Sequence, residues 1–175
     1  MLGVSLLSCG GTKTLYKTET ALNKPQRIGY AQLAREKVIE EIAAGSVSSY
    51  DSVMTHLLSA RDVEGLSVRI EDFSSFDDIQ VLSIEELCAE NQLDGVVITR
   101  LKFLNVQYSA LFIPVGVSQD TEVEMQFYGS EGDLLLHTLH NTHWGNQYWD
   151  FPTSEQTVAD GIEGALERLL KEMEQ

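Results

Sequence analysis

The sequence predicts an α+β fold, a two-layer sandwich in which a mixed, mostly antiparallel sheet carries helices on one face. Three observations predict it. From Thr121 to Tyr128 apolar and polar residues alternate strictly, the pattern of an antiparallel strand with one wet face. Near the carboxy terminus Val158, Ile162, Ala165, Leu166, Leu169, Leu170 and Met173 form one continuous helical stripe. Between the amino-terminal region and these elements, helix-period and strand-period segments follow one another without repeats or low-complexity stretches.

Taken in order, residues 1–8 are apolar or small, residues 9–24 read as a polar tether, and residues 25–175 as a single domain. Ile28, Ala31, Val38, Ile39 and Ile42 fall on a helical stripe ending at Gly45, with a strand over Ile28 to Leu33 as the competing reading. Ser48 or Ser49 caps a helix whose apolar face is Tyr50, Val53, Met54, Leu57 and Leu58. Leu66 to Ile70 alternates as a short strand, and Ser83 with Glu86 forms a capping box for a helix through Asn91. Asp94-Gly95 turns the chain into Val96-Val97-Ile98-Thr99, apolar on both faces and therefore central. Asn105 and Pro114 mark a bend or hairpin within the apolar run that follows. Ser130-Glu131-Gly132-Asp133 is a hairpin turn, Leu134 to His143 the returning strand, and Thr153 with Gln156 the capping box of the last helix.

Composition narrows the function classes. The chain of 175 residues is 43% hydrophobic and 22% charged, which suits one globular domain with a genuine core. Its 27 acidic and 12 basic residues give a net charge of −15, so nucleic acid and anionic lipid surfaces are poor partners. No apolar stretch approaches the ~20 residues that span a bilayer. Of the two cysteines, Cys88 lies at helical spacing with Ile84 and Leu87 and reads as a buried thiol.

The other, Cys9, stands in Leu6-Leu7-Ser8-Cys9-Gly10-Gly11. A leucine three residues before, a small residue just before and a glycine after resemble the lipobox of bacterial lipoproteins. Residues 1–8 are then the truncated remnant of a signal peptide, and Cys9 is the lipidation site that anchors the chain. Downstream, the step Leu93-Asp94-Gly95-Val96-Val97-Ile98 and the hairpin Tyr128 to Leu135 resemble small periplasmic lipoprotein domains akin to the amino-terminal domain of TolB and to CsgG. That resemblance covers about residues 66–174. It implies an envelope protein, placed by Gly10 at the outer membrane, that scaffolds or assembles through protein–protein contacts, and it transfers no functional residues.

Three candidate sites compete with this reading. His137, His140 and His143 have spacing that converges on a metal if the segment is helical; as a strand, His140 points away from the other two. Trp144, Asn146, Tyr148 and Trp149 form an aromatic, amide-rich cluster suited to a glycan, or to filling the junction before the last helix. Tyr108 to Val117 is either a core strand or a protruding apolar patch for a partner or bilayer. Glu71-Asp72 and Asp77-Asp78 lack the spacing of a calcium loop, and no nucleophile elbow or phosphate-binding loop is present. The expectation is an envelope lipoprotein without catalysis or cofactor, bound to a protein partner, with oligomeric state open.

Overall fold

The computed structural model describes residues 9–19, 24–33, 46–70, 75–110, 113–146 and 153–174. Its centre is a six-stranded sheet in the order β1-β6-β5-β4-β2-β3. The strands are β1 (Cys9–Lys17), β2 (Arg27–Gln32), β3 (Glu64–Ser67), β4 (Gly95–Ala110), β5 (Ile113–Gly129) and β6 (Leu134–Asn146). The helices are α1 (Ser46–Ser59), α2 (Val81–Asn91) and α3 (Ser154–Met173). The β1-β6-β5-β4 portion is antiparallel, whereas β2 lies parallel to both β3 and β4. The expected α+β class with a mixed, mostly antiparallel sheet is what forms.

The two faces of the sheet carry two apolar clusters. Tyr50, Met54 and Leu58 of α1 join Val158, Ile162, Leu166 and Leu169 of α3 over Val97, Val123, Met125 and Leu136. Ile84 and Cys88 of α2 pack on the opposite face with Val96, Ile98 and Tyr128. The arrangement follows from the double-sided apolarity of β4, whose neighbouring residues Val96, Val97 and Ile98 are all fully buried. Thus α1 and α3 share one face, and α2 adds a partial layer on the other. Burial raises the Cys88 thiol pKa, with the charge of Asp94 acting in the same direction, so Cys88 is an inert core residue.

Local signals explain most element ends. The capping box of Thr153 and Gln156 opens α3. Gly132 (φ 80°) makes the β5–β6 turn, and α2 stops at Gln92 in the left-handed conformation. The Asp94 carboxylate accepts from the Gln26 and Arg27 amides at 2.7 and 2.9 Å, tying the start of β2 to the start of β4. Within α3, a Cβ at Gly164 would lie 2.5 Å from the His140 ring and one at Gly161 would lie 2.9 Å from Thr121. Those glycines let the helix approach the sheet closely.

Several expectations are corrected. Ile28 to Leu33 follows the strand reading, since β2 covers most of it; Val38, Ile39 and Ile42 lie outside the described residues. The capping box at Ser83 does not form, because α2 begins at Val81 with Gln80 as its uncapped N-cap. The strand expected over Leu66 to Ile70 lies earlier, at Glu64–Ser67. Most consequential is the tether expected over residues 9–24: Cys9–Lys17 is a strand, paired with β6 from Cys9–His143 to Lys17–Leu136. The β-favouring run Thr12, Thr14, Leu15, Tyr16 satisfies the hydrogen-bonding edge that β6 would otherwise leave open.

Candidate functional site

Alternation along β4, β5 and β6 sorts the polar side chains into two rows, one on each face. On the α2 side the rows are cross-strand partners: Arg100 stands opposite Glu124 and Lys102 opposite Glu122. Glu124 is the centre. One carboxylate oxygen pairs with Arg100 and the other lies 2.6 Å from His137 Nε2. His137 Nδ1 lies 3.5 Å from the Gln126 amide, whose oxygen accepts from the Tyr128 hydroxyl. Phe76, from the short turn Phe76–Asp78, covers the group, with the Arg100 guanidinium 5.1 Å from its ring centre and the His137 ring at 6.0 Å. The face expected to be wet is therefore largely dry here: Glu124, Gln126 and Tyr128 are each at most 8% exposed.

The electrostatics match this enclosure. Burial alone would raise the Glu124 pKa, but the hydrogen bonds from His137 and Arg100, with their charges, hold it below the ordinary carboxylate value. Burial and the nearby charge of Asp77 push Tyr128 up to about 12, so its hydroxyl is a donor and not a base. Glu124 is thus a fixed anion whose oxygens are both engaged, and neither side-chain partner is a hydroxyl or thiol nucleophile. The group clamps three strands together.

The opposite face holds His140. Its ring lies 2.7 Å from Thr12 Oγ1 and 3.1 Å from Thr142 Oγ1, and burial lowers its pKa. It lines a shallow groove of about 550 Å³ with Arg61, Glu167, Arg168 and Lys171. Nearby, Glu172 binds Lys17, Arg168 and Thr14, bolting α3 to β1. His143 is exposed and pairs with Asp120 on the first face.

The three histidines do not converge. His140 is across the sheet from the other two, and His137 and His143 are separated by six strand residues, about 20 Å. No group of three or more potential metal ligands occurs among the described residues. Trp144 lies opposite Gln119 on the side of α3, beside the start of that helix through the Thr157–Gln119 hydrogen bond. Its indole N–H is buried without a partner among the described residues. Asn146 ends β6, and Tyr148 and Trp149 lie outside the described residues, so the aromatic cluster is represented by Trp144 alone. Cys9 opens β1 at the sheet end where β6 finishes. No described helix is long and apolar enough to cross a membrane.

These features define a small α+β domain with a clamped sheet and an edge strand that begins at Cys9. No family model matches the chain, and no curated protein matches its sequence. Solved structures do share the fold. The PelC dodecamer from Paraburkholderia phytofirmans is 10% identical, with TM-score 0.59, covering 93% of this chain and 98% of that one. Lipoprotein GNA1162 from Neisseria meningitidis is 10% identical, with TM-score 0.52, covering 84% and 99%. At this identity the likeness is one of fold, and it spans nearly the whole of both neighbours.

Proposed function

We propose that the chain is a lipoprotein of the bacterial cell envelope, acylated at Cys9, that works without catalysis by holding protein partners together at a membrane. The observation that carries this reading is the position of Cys9. It lies within Leu-Leu-Ser-Cys-Gly and is also the first residue of β1, so an acyl group there would seat the folded domain directly on its membrane. The fold shared with a Neisseria lipoprotein supports the same assignment. Gly10 after the cysteine favours the outer membrane over the inner. The kinship with TolB and CsgG domains belongs to the same proposal.

Absence of catalysis is supported by the use made of the polar groups. Both oxygens of Glu124 are engaged by Arg100 and His137, and Glu172 is occupied by Lys17 and Arg168. The partner favoured first is a further copy of the chain. The PelC neighbour is a dodecamer, and here β1 lies at the edge of the sheet with Leu15 and Tyr16 about half exposed. The test is incorporation of labelled palmitate into the protein expressed in a bacterial envelope. Label is expected in the wild type and absent in Cys9→Ala; label persisting in the variant, or absent from both, rejects the anchor.

A further inference from the structure

The sheet has two open edges, and they run in opposite directions. Strand β1 lies at one end of the order and β3 at the other, each paired on one side only among the described residues. β3 is parallel to β2 and β2 to β4, whereas three antiparallel steps lead from β4 through β5 and β6 to β1. β1 is therefore antiparallel to β3. A second copy set beside the first in the same orientation brings its β3 against β1 as an antiparallel pair.

The register gives the rows of that contact. Ser67 lies opposite Tyr30, Tyr30 opposite Val97, Val97 opposite Phe127, Phe127 opposite Leu136 and Leu136 opposite Lys17. Ser67 and Lys17 thus end one row that crosses the whole sheet. In the next row Tyr16 follows His137, Gln126, Ile98 and Ala31. Its other end is Val68, which comes after Ser67 and donates its amide to the Tyr30 carbonyl. Copies set side by side without stagger place Tyr16, about half exposed, next to Val68. Val68, Leu66 and Ile70 are partly buried against the α2-side cluster, which also contains Ile98 of the same row. Tyr16 would extend that apolar surface from outside.

We propose that β1 of one copy adds to β3 of the next, head to tail, so that one sheet continues from subunit to subunit. This rests on the self-association reading above and names the surface that receives β1. Pairing of β1 with itself meets the same conditions less well. An antiparallel β1–β1 pair sends the two Cys9 positions to opposite ends of a nine-residue strand, about 30 Å apart. A parallel β1–β1 pair keeps them together, yet it leaves both β3 edges open and takes Tyr16 away from Val68. Head-to-tail addition keeps every Cys9 on the same side of the assembly. It also leaves no open edge once the series of copies closes on itself.

The experiment uses the full chain with Cys9→Ser, to which Lys17→Cys and Ser67→Cys are added, oxidised at about 0.15 M salt and read on a non-reducing gel. Within one molecule the two positions are five strand spacings apart, about 24 Å, too far for a disulfide, and Cys88 is buried. The protein with both cysteines is expected to give a ladder of dimers, trimers and higher multimers. The two single-cysteine proteins, mixed at low salt before oxidation, should give dimers only, and each alone no product. Adding Tyr16→Lys should abolish the ladder. Where loss of the Lys17–Glu172 pair unfolds the chain, Leu15→Cys with Arg69→Cys at the next row carries the same test. Dimers from Lys17→Cys alone would show β1 pairing with itself and overturn the proposal. So would the absence of the ladder in a protein that light scattering shows to be oligomeric. A Cys9→Ser parent that stays monomeric in light scattering removes the self-association reading itself, so the two failures are told apart.

Discussion

At the scale of single residues, Glu124 is where sheet geometry and electrostatics meet. Its carboxylate is nearly enclosed, yet its pKa is held down because His137 and Arg100 bind the anion. The sign of the pH effect follows. A carboxylate whose folded pKa lies below its unfolded value, about 4.3, stabilises the fold above that value. The contribution is lost as pH falls through the folded pKa. Glu124→Gln keeps the shape but removes the charge, leaving Arg100 and His137 to face a weaker acceptor. A destabilisation of about 1–3 kcal/mol is expected at pH 7, below that of a fully buried pair because Arg100 is partly exposed. Urea unfolding of both proteins at pH 7 and near pH 3 checks it: the gap should shrink at the lower pH. A gap that is equal at both would mean that the charge of Glu124 contributes nothing.

At the scale of elements, β1 decides where the domain begins. As a tether, Thr12 to Lys17 would exchange its amide hydrogens at unfolded-chain rates. As a strand on β6, bolted to α3 through Lys17, Thr14 and Glu172, the amides that point toward β6 should be protected at least ~100-fold, in alternation with unprotected outward ones. Hydrogen exchange resolved by residue in NMR spectra checks this, and uniform fast exchange over Thr12–Lys17 would restore the tether. The run was misjudged because strand propensity at a sheet edge depends on a partner, and residues 134–146 are remote in sequence. The alternation of Thr121–Tyr128, the β5–β6 turn and the capping box of α3 were legible because each rests on neighbours within a few residues. The Arg100–Glu124 clamp was not: the register that sets Arg100 against Glu124 and Lys102 against Glu122 includes a one-residue shift between Tyr108 and Ser109, and no local pattern in the sequence marks that irregularity. Asn105 and Pro114 pointed instead to a break, whereas β4 runs through Asn105 and β5 accepts Pro114 close to its start. The histidines were legible only conditionally. Once the segment is a strand, period two alone sends His140 to the other face.

At the scale of the whole molecule, the problem for any self-assembly is charge. Copies carrying −15 repel one another, and the repulsion reaches about one Debye length, about 30 Å at 0.01 M salt and 8 Å at 0.15 M. An interface formed by the β1 edge, with backbone hydrogen bonds and the half-exposed Leu15 and Tyr16, gains nothing from ionic pairing and suffers only the background repulsion. Raising the salt should therefore strengthen association, the opposite of what an interface of complementary charges would do. Size-exclusion chromatography with light scattering on the non-acylated Cys9→Ser protein, across that salt range, reads the effect directly. The mean mass should rise with salt, and Tyr16→Lys, which puts a cation on the open edge and removes an apolar surface, should keep the protein monomeric at the highest salt. Dissociation on adding salt would show that the acidic surface itself takes part in the contact, and would move the interface away from β1.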